Sequence, residues 1–135
     1  MGVIMRDLQN YYVILEQIRD SLVIKSYQSD GKGSFVGGEI TCASKVKAEH
    51  YGLTMSKILG KTDFDLMPQD QAQKALEGDL WVMENKKSIE NVEEIVSYPN
   101  GITVKKSTTK SPIVIENGEI RGVICISRII EVLSS

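Results

Sequence analysis

The chain is 135 residues long, the size of one domain, and its 41% hydrophobic content is enough for an ordinary core. Charged residues make up 25% with a formal net charge of −2, so the basic footprint of a direct nucleic-acid binder is missing. The longest apolar run, Tyr11 to Leu15, is far too short to span a bilayer, and Arg6 and Asp7 break the N-terminus where a signal peptide needs an apolar core. No membrane insertion is expected. Cys42 and Cys125 lack metal or redox spacing and read as reduced thiols of a cytoplasmic protein.

Residues 1–22 read as a helix. Ile4, Leu8, Tyr11, Leu15, Ile18 and Leu22 recur with heptad spacing, and Tyr12, Val13 and Ile14 widen the apolar surface. So short a helix needs a packing partner. It lies on its own sheet, meets a second copy, or does both, with Leu8, Tyr11, Leu15, Ile18 and Leu22 as the dimer contact. The expected division is an amphipathic helix over 1–20 and the main domain over 21–135.

Ser21 to Tyr27 reads as a first strand, Asp30-Gly-Lys-Gly33 as a hairpin turn and Ser34 to Ile40 as a second strand, where Gly37 and Gly38 suggest a bulge or a close backbone approach. Ser44 is a candidate N-cap for a helix from Lys45 to about Tyr51, ended by Gly52. A short helix is expected from Thr54 or Ser56 through Leu59. In Asp63-Phe-Asp-Leu-Met-Pro68, Phe64, Leu66 and Met67 are core candidates, and Asp63 and Asp65 read as cap or turn carboxylates because neighbouring oxygen ligands for a metal are missing. Gln69 to Asn85 carries Ala72, Leu76, Leu80 and Met83 at helical spacing. Gly78 within it suggests close packing or room for a ligand, and Lys86-Lys87 end it. Val92 to Tyr98, Ile102 to Ile115 and Glu119 to Val132 are three further strands, joined at Pro99-Asn100-Gly101 and Glu116-Asn117-Gly118. Lys105-Lys106 reads as a solvated strand face. Apolar neighbours in Ile113-Val-Ile115 and Val123-Ile-Cys-Ile126 imply a sheet covered on both faces.

This order resembles a PAS domain from about Leu15 to Ile130. The resemblance is carried by Gly52-Leu53, the segment ILGKTDFDLMP from Ile58 to Pro68, the long helix, Lys110-Ser111-Pro112 and Gly122-Val-Ile-Cys-Ile-Ser127. Two departures stand out: Ser44 where PAS domains usually carry Asn, and Ile129-Ile130-Glu131 where many end in Asp-Ile-Thr. The second puts the usual coupling to an output helix in doubt. The resemblance implies an α+β PAS fold: a five-stranded antiparallel sheet of order 2-1-5-4-3, with helices on one face and an N-terminal helix. It also implies a sensory module of a signal-transduction or transcription-regulatory protein, stand-alone or excised, working as a homodimer and through an output domain or signalling partner.

No catalytic constellation is present. The single histidine, His50, has no nucleophile-elbow partner, and there is no Walker A or GxGxxG loop, so neither an enzyme nor a metal site is expected. Haem-binding PAS members take iron from a His on the long helix, where this chain has none, and the covalent-flavin motif Asn-Cys-Arg-Phe-Leu-Gln has no counterpart. Trp81 reads as a packed core residue before a flavin platform. The cofactor stays unknown. The expected site is an apolar pocket between the long helix and the sheet, lined by Phe64, Met67, Leu76, Leu80, Met83, Ile95, Val104, Ile124 and Ile126. It would take a mostly apolar small molecule, oriented by Tyr98, Ser107 or Thr109. The alternative is a filled core in a ligand-free module for protein–protein interaction and dimerisation.

Overall fold

The computed structural model describes residues 11–135. A helical stretch over 11–17 (α1) leads into strands β1 (Ser21–Ser29) and β2 (Phe35–Ala43). Helices α2 (Lys45–His50), α3 (Asp63–Leu66) and α4 (Gln69–Asn85) follow, then β3 (Ile89–Ser97), β4 (Thr103–Val114) and β5 (Ile120–Ser134). The five strands form one antiparallel sheet in the order β2-β1-β5-β4-β3, as the resemblance implied.

Local chemistry explains the element ends. Asp30 Oδ1 accepts the amides of Lys32 and Ser34 and shapes the β1–β2 turn. Ser44 Oγ accepts the amide of Lys47 at 3.3 Å as N-cap of α2, and also that of Leu22 at 2.9 Å, which ties the helix start to β1. The amide and hydroxyl of Thr62 both donate to Asp65 Oδ2 at the start of α3. Lys86, in the left-handed conformation at φ 52°, ends α4. Opposite Gly37 the β1–β2 register slips, and a Cβ on that glycine would press on the Ser26 carbonyl.

Alternation sorts the sheet into two faces. Ser21, Val23, Lys25 and Tyr27 of β1 and Val104, Lys106, Thr108 and Lys110 of β4 are buried or nearly so and face the helices. The core is two clusters on this side. One centres on Ile40, Ile58, Met83 and Val123, and the other on Tyr51, Val96, Tyr98 and Val104. Each such aliphatic side chain contributes about 1.5–3 kcal/mol on burial. Cys42 pairs with Ile24 on the outer face while Cys125 pairs with Val23 on the inner one, so the sheet separates the two free thiols.

Several expectations change. Leu22 belongs to β1 rather than to a helical seam, because α1 stops at 17 and the chain turns extended at Ser21. Leu15 and Ile18 are half-buried, Tyr11 is 65% exposed, and Leu8 lies outside the described residues. Tyr12, Val13 and Ile14 are also exposed, so α1 does not bury these side chains on its own sheet. The stretch 54–59 forms turns instead of a helix, closed by the Ile58 amide on the Thr54 carbonyl. Trp81 is 45% exposed on the solvent side of α4 rather than packed in the core. Ile126 on the outer face is exposed as well, so the sheet is densely covered on one face only.

Candidate ligand-binding site

Period-two alternation carries charge inward along with the apolar residues. In β4, Lys106, Thr108 and Lys110 point to the helices in step with Val104, and in β1 Lys25 does so between Val23 and Tyr27. Asp79 sits on the inward stripe of α4 with Ala72, Val82 and Met83 and is completely buried. Lys47 on α2 and Asp63 on α3 complete the group.

Asp79 is the hub. Its carboxylate forms an ion pair with Lys25 Nζ at 2.6 Å, accepts from Lys110 Nζ at 2.9 Å and from the Tyr27 hydroxyl at 2.7 Å, and the Cys125 thiol lies 3.9 Å away. Lys25 also binds Asp63 at 2.8 Å, and Lys110 donates to the Ala75 carbonyl at 2.9 Å. Burial opposes the charge on Lys25, but Cys125, Asp79 and Asp63 hold its pKa well above the ordinary value. Burial likewise works to raise the pKa of Asp63, and Lys25 and Lys47 overcome it and lower it. Removing one partner of such a buried pair costs about 3–5 kcal/mol, because the other charge is left uncompensated. Gly78 opens the route: a Cβ there would meet Lys110 Nζ at 3.2 Å, so the missing side chain lets Lys110 lie across the helix.

Beside this network α4 and the sheet enclose a cavity of about 520 Å³. Lys25, Lys47, Lys106, Lys110 and Asp63 are among its polar lining residues, and Val23, Met67 and Val96 among its apolar ones. Thr108 Oγ1 and Gln71 Nε2, both on residues of the lining, are buried and make no hydrogen bond within the described protein. Burial, with Lys106 nearby, lowers the pKa of Lys47 to about 8, and burial also lowers that of Lys106. Lys47 Nζ lies 4.8 Å from the centre of the Tyr51 ring, and Tyr51 meets Tyr98 edge-on. His50 stacks on Tyr98 at 4.6 Å and lines a smaller cavity of about 270 Å³ with Arg19 and Arg128. Among the described residues no cluster of three or more His, Cys, Asp or Glu side chains is placed to hold a metal.

The cavity has a mixed lining, with four buried lysines among its residues, rather than the apolar one expected from sequence. Of its nine proposed residues, Met67 and Ile95 border the cavity, although the Ile95 side chain is 64% exposed and pairs with the outward Lys105. Leu76, Leu80 and Met83 pack in the first core cluster and Val104 in the second. Phe64 is exposed on α3, and Ile124 and Ile126 lie on the outer face, because Val123 and Cys125 take the inward positions of β5. Ser107 and Thr109 also point outward, leaving Thr108 inside, and Tyr98 belongs to the second core cluster. Lys106 is buried rather than solvated, and Asp63 is an ion-pair partner rather than a cap. The overlooked residues are Lys25, Lys47, Asp79 and Lys110, and their signal was charge at core-facing positions of the strand and helix periods.

Similar proteins agree with this architecture. No curated protein matches the sequence. Among solved structures, VqmA of Vibrio cholerae in a complex with ligand and DNA superimposes with a TM-score of 0.73 at 22% identity, covering 90% of this chain and 50% of that one. A PAS domain from Colwellia psychrerythraea gives 0.69 at 18% identity, covering 92% and 97%. The PAS domain of a LuxR-family transcriptional regulator from Burkholderia thailandensis, solved with ethanol, gives 0.62 at 13% identity, covering 89% and 96%. The chain spans about half the length of the VqmA structures it matches. Residues 37–132, most of the chain, match the family model described as the PAS fold, and the protein belongs to the PAS family.

Proposed function

We propose that this domain senses a small molecule held between α4 and the inner face of the sheet, in a signal-transduction or transcription-regulatory protein. Occupancy is passed on through a second copy of the chain or an output domain. The observation that carries this reading is the cavity of about 520 Å³, which lies within the usual range for small-molecule sites and borders buried polar atoms that lack partners. The structure described as VqmA bound to DPO and the LuxR-family domain solved with ethanol support it, as PAS domains of regulators that hold small molecules. A ligand acts here through differential affinity for two arrangements of the sheet or of a dimer. Exposed Ile126 on the outer face, with Tyr11 and Ile14 on α1, favours self-association on the side away from the cavity.

Ala75→Phe tests the reading, since Ala75 lines the cavity from α4. In a thermal-shift screen of small metabolites, compounds that stabilise the wild type are expected to bind the variant at least about tenfold more weakly, with self-association unchanged. Equal stabilisation of both proteins contradicts the cavity as the site and favours the ligand-free interaction module.

A further inference from the structure

We propose that the cavity recognises a small organic acid, its carboxylate held by Lys47 and Lys106 and its apolar body lying against Met67 and Val96. The inference rests on the sensor reading and names the chemical class of the ligand.

Four lysines, Lys25, Lys47, Lys106 and Lys110, are at least nine-tenths buried, against two buried aspartates, Asp63 and Asp79. Those aspartates are already engaged: Lys25 spans both, and Lys110 shares Asp79. Lys47 and Lys106 have no carboxylate within ion-pair distance among the described residues. Glu94 is half-buried and opposite Lys106 in the strand pairing, and offsets one charge without bonding to it. At least one positive charge therefore remains uncompensated beside an open volume. Burying an ammonium without a partner is costly, and a carboxylate entering the cavity would relieve that cost. The surroundings suit a carboxylate. Thr108 Oγ1 and Gln71 Nε2 are donors without acceptors in the same lining, and Met67, Val23 and Val96 of that lining accommodate hydrocarbon. Burial lowers the pKa of both lysines, which a bound anion would reverse.

The test compares acetate, benzoate, phenylacetate and succinate with their neutral amides in thermal-shift titrations of the whole chain, with sodium sulfate as an anion control. At least one carboxylate is expected to stabilise the protein saturably while its amide does not. Lys106→Met is expected to weaken that carboxylate roughly ten- to a hundredfold and to raise the melting temperature of the ligand-free protein, which also shows that the variant folds. Lys47→Met serves as the second variant with the same expected loss. The proposal is overturned if amides act as well as carboxylates, if the carboxylate effect survives in both variants, or if sulfate gives the same saturable shift. The cavity as a small-molecule site stands in the first case. Silence from both series overturns the proposal and counts against the sensor reading as well.

Discussion

Lys47 sits in the first turns of α2 with its ammonium over the Tyr51 ring and no carboxylate in reach among the described residues. Burial lowers its pKa from the ordinary 10.5 to about 8, with Lys106 and Lys25 adding to the shift and Asp63 and Cys125 opposing it. Between these two values the unfolded chain holds the proton more tightly than the folded one, so this group's contribution to stability rises with pH. From about pH 8 to about pH 10 the difference in urea-denaturation stability between wild type and Lys47→Met is expected to grow in favour of wild type by up to about 3 kcal/mol, while both proteins share the opposing loss as Cys42, Cys125 and the buried tyrosines, whose folded pKa values are raised by burial, ionise in the unfolded chain. A difference between the two proteins that stays flat or shrinks across the window would contradict the burial of a charged Lys47. The same residue shows why the site was hard to see in the sequence. A lysine at an inward position looks identical to a solvated one until its strand or helix is placed. Lys105 and Lys106 are adjacent, yet one pairs with Glu93 and Glu131 at the surface and the other is 9% exposed in the core. Asp79 likewise lies on the buried stripe of α4, where a search confined to apolar residues passes over it.

At the scale of elements, β5 runs between β1 and β4 and approaches β1 most closely at Gly122, which pairs with Ser26. A Cβ there would run into the backbone carbonyl of Lys25, which cannot move without breaking the pairing. Gly122→Ala should therefore destabilise the domain by about 2 kcal/mol or more in urea denaturation, and a change of less than about 0.5 kcal/mol would show that the strands part freely. The elements themselves were largely legible, because their signals are local. Ser44 caps α2, Lys86 closes α4, and Gly101 and Gly118 take the positive φ that their hairpins need. The turn over 54–59 was misread because cap chemistry at Thr54 is shared by helices and by single turns. The face of β5 was misread because Val123, Ile124, Cys125 and Ile126 are apolar without alternation, which leaves the inward phase undefined.

For the whole molecule, the sheet divides the labour proposed here, with the cavity and its lysines on the helix side and an exposed apolar surface on the other. Ile126→Asp, on the outer face, should convert a self-associated species to monomer in light scattering while changing stability by no more than about 0.5 kcal/mol. A mass that does not depend on this residue would remove the outer face from the interface. The strand order was readable because hairpin signals and one long helical crossover leave few topologies open. The polarity of the cavity was not, since it depends on seven elements converging on one volume. The most direct check on the central claim is mass spectrometry of the small molecules released when purified wild type, Lys106→Met and Ala75→Phe are denatured. A dominant small organic acid from the wild type, depleted in both variants, is the predicted result. The same release profile from all three proteins, or a wild type that releases nothing and is stabilised by no carboxylate, would contradict it.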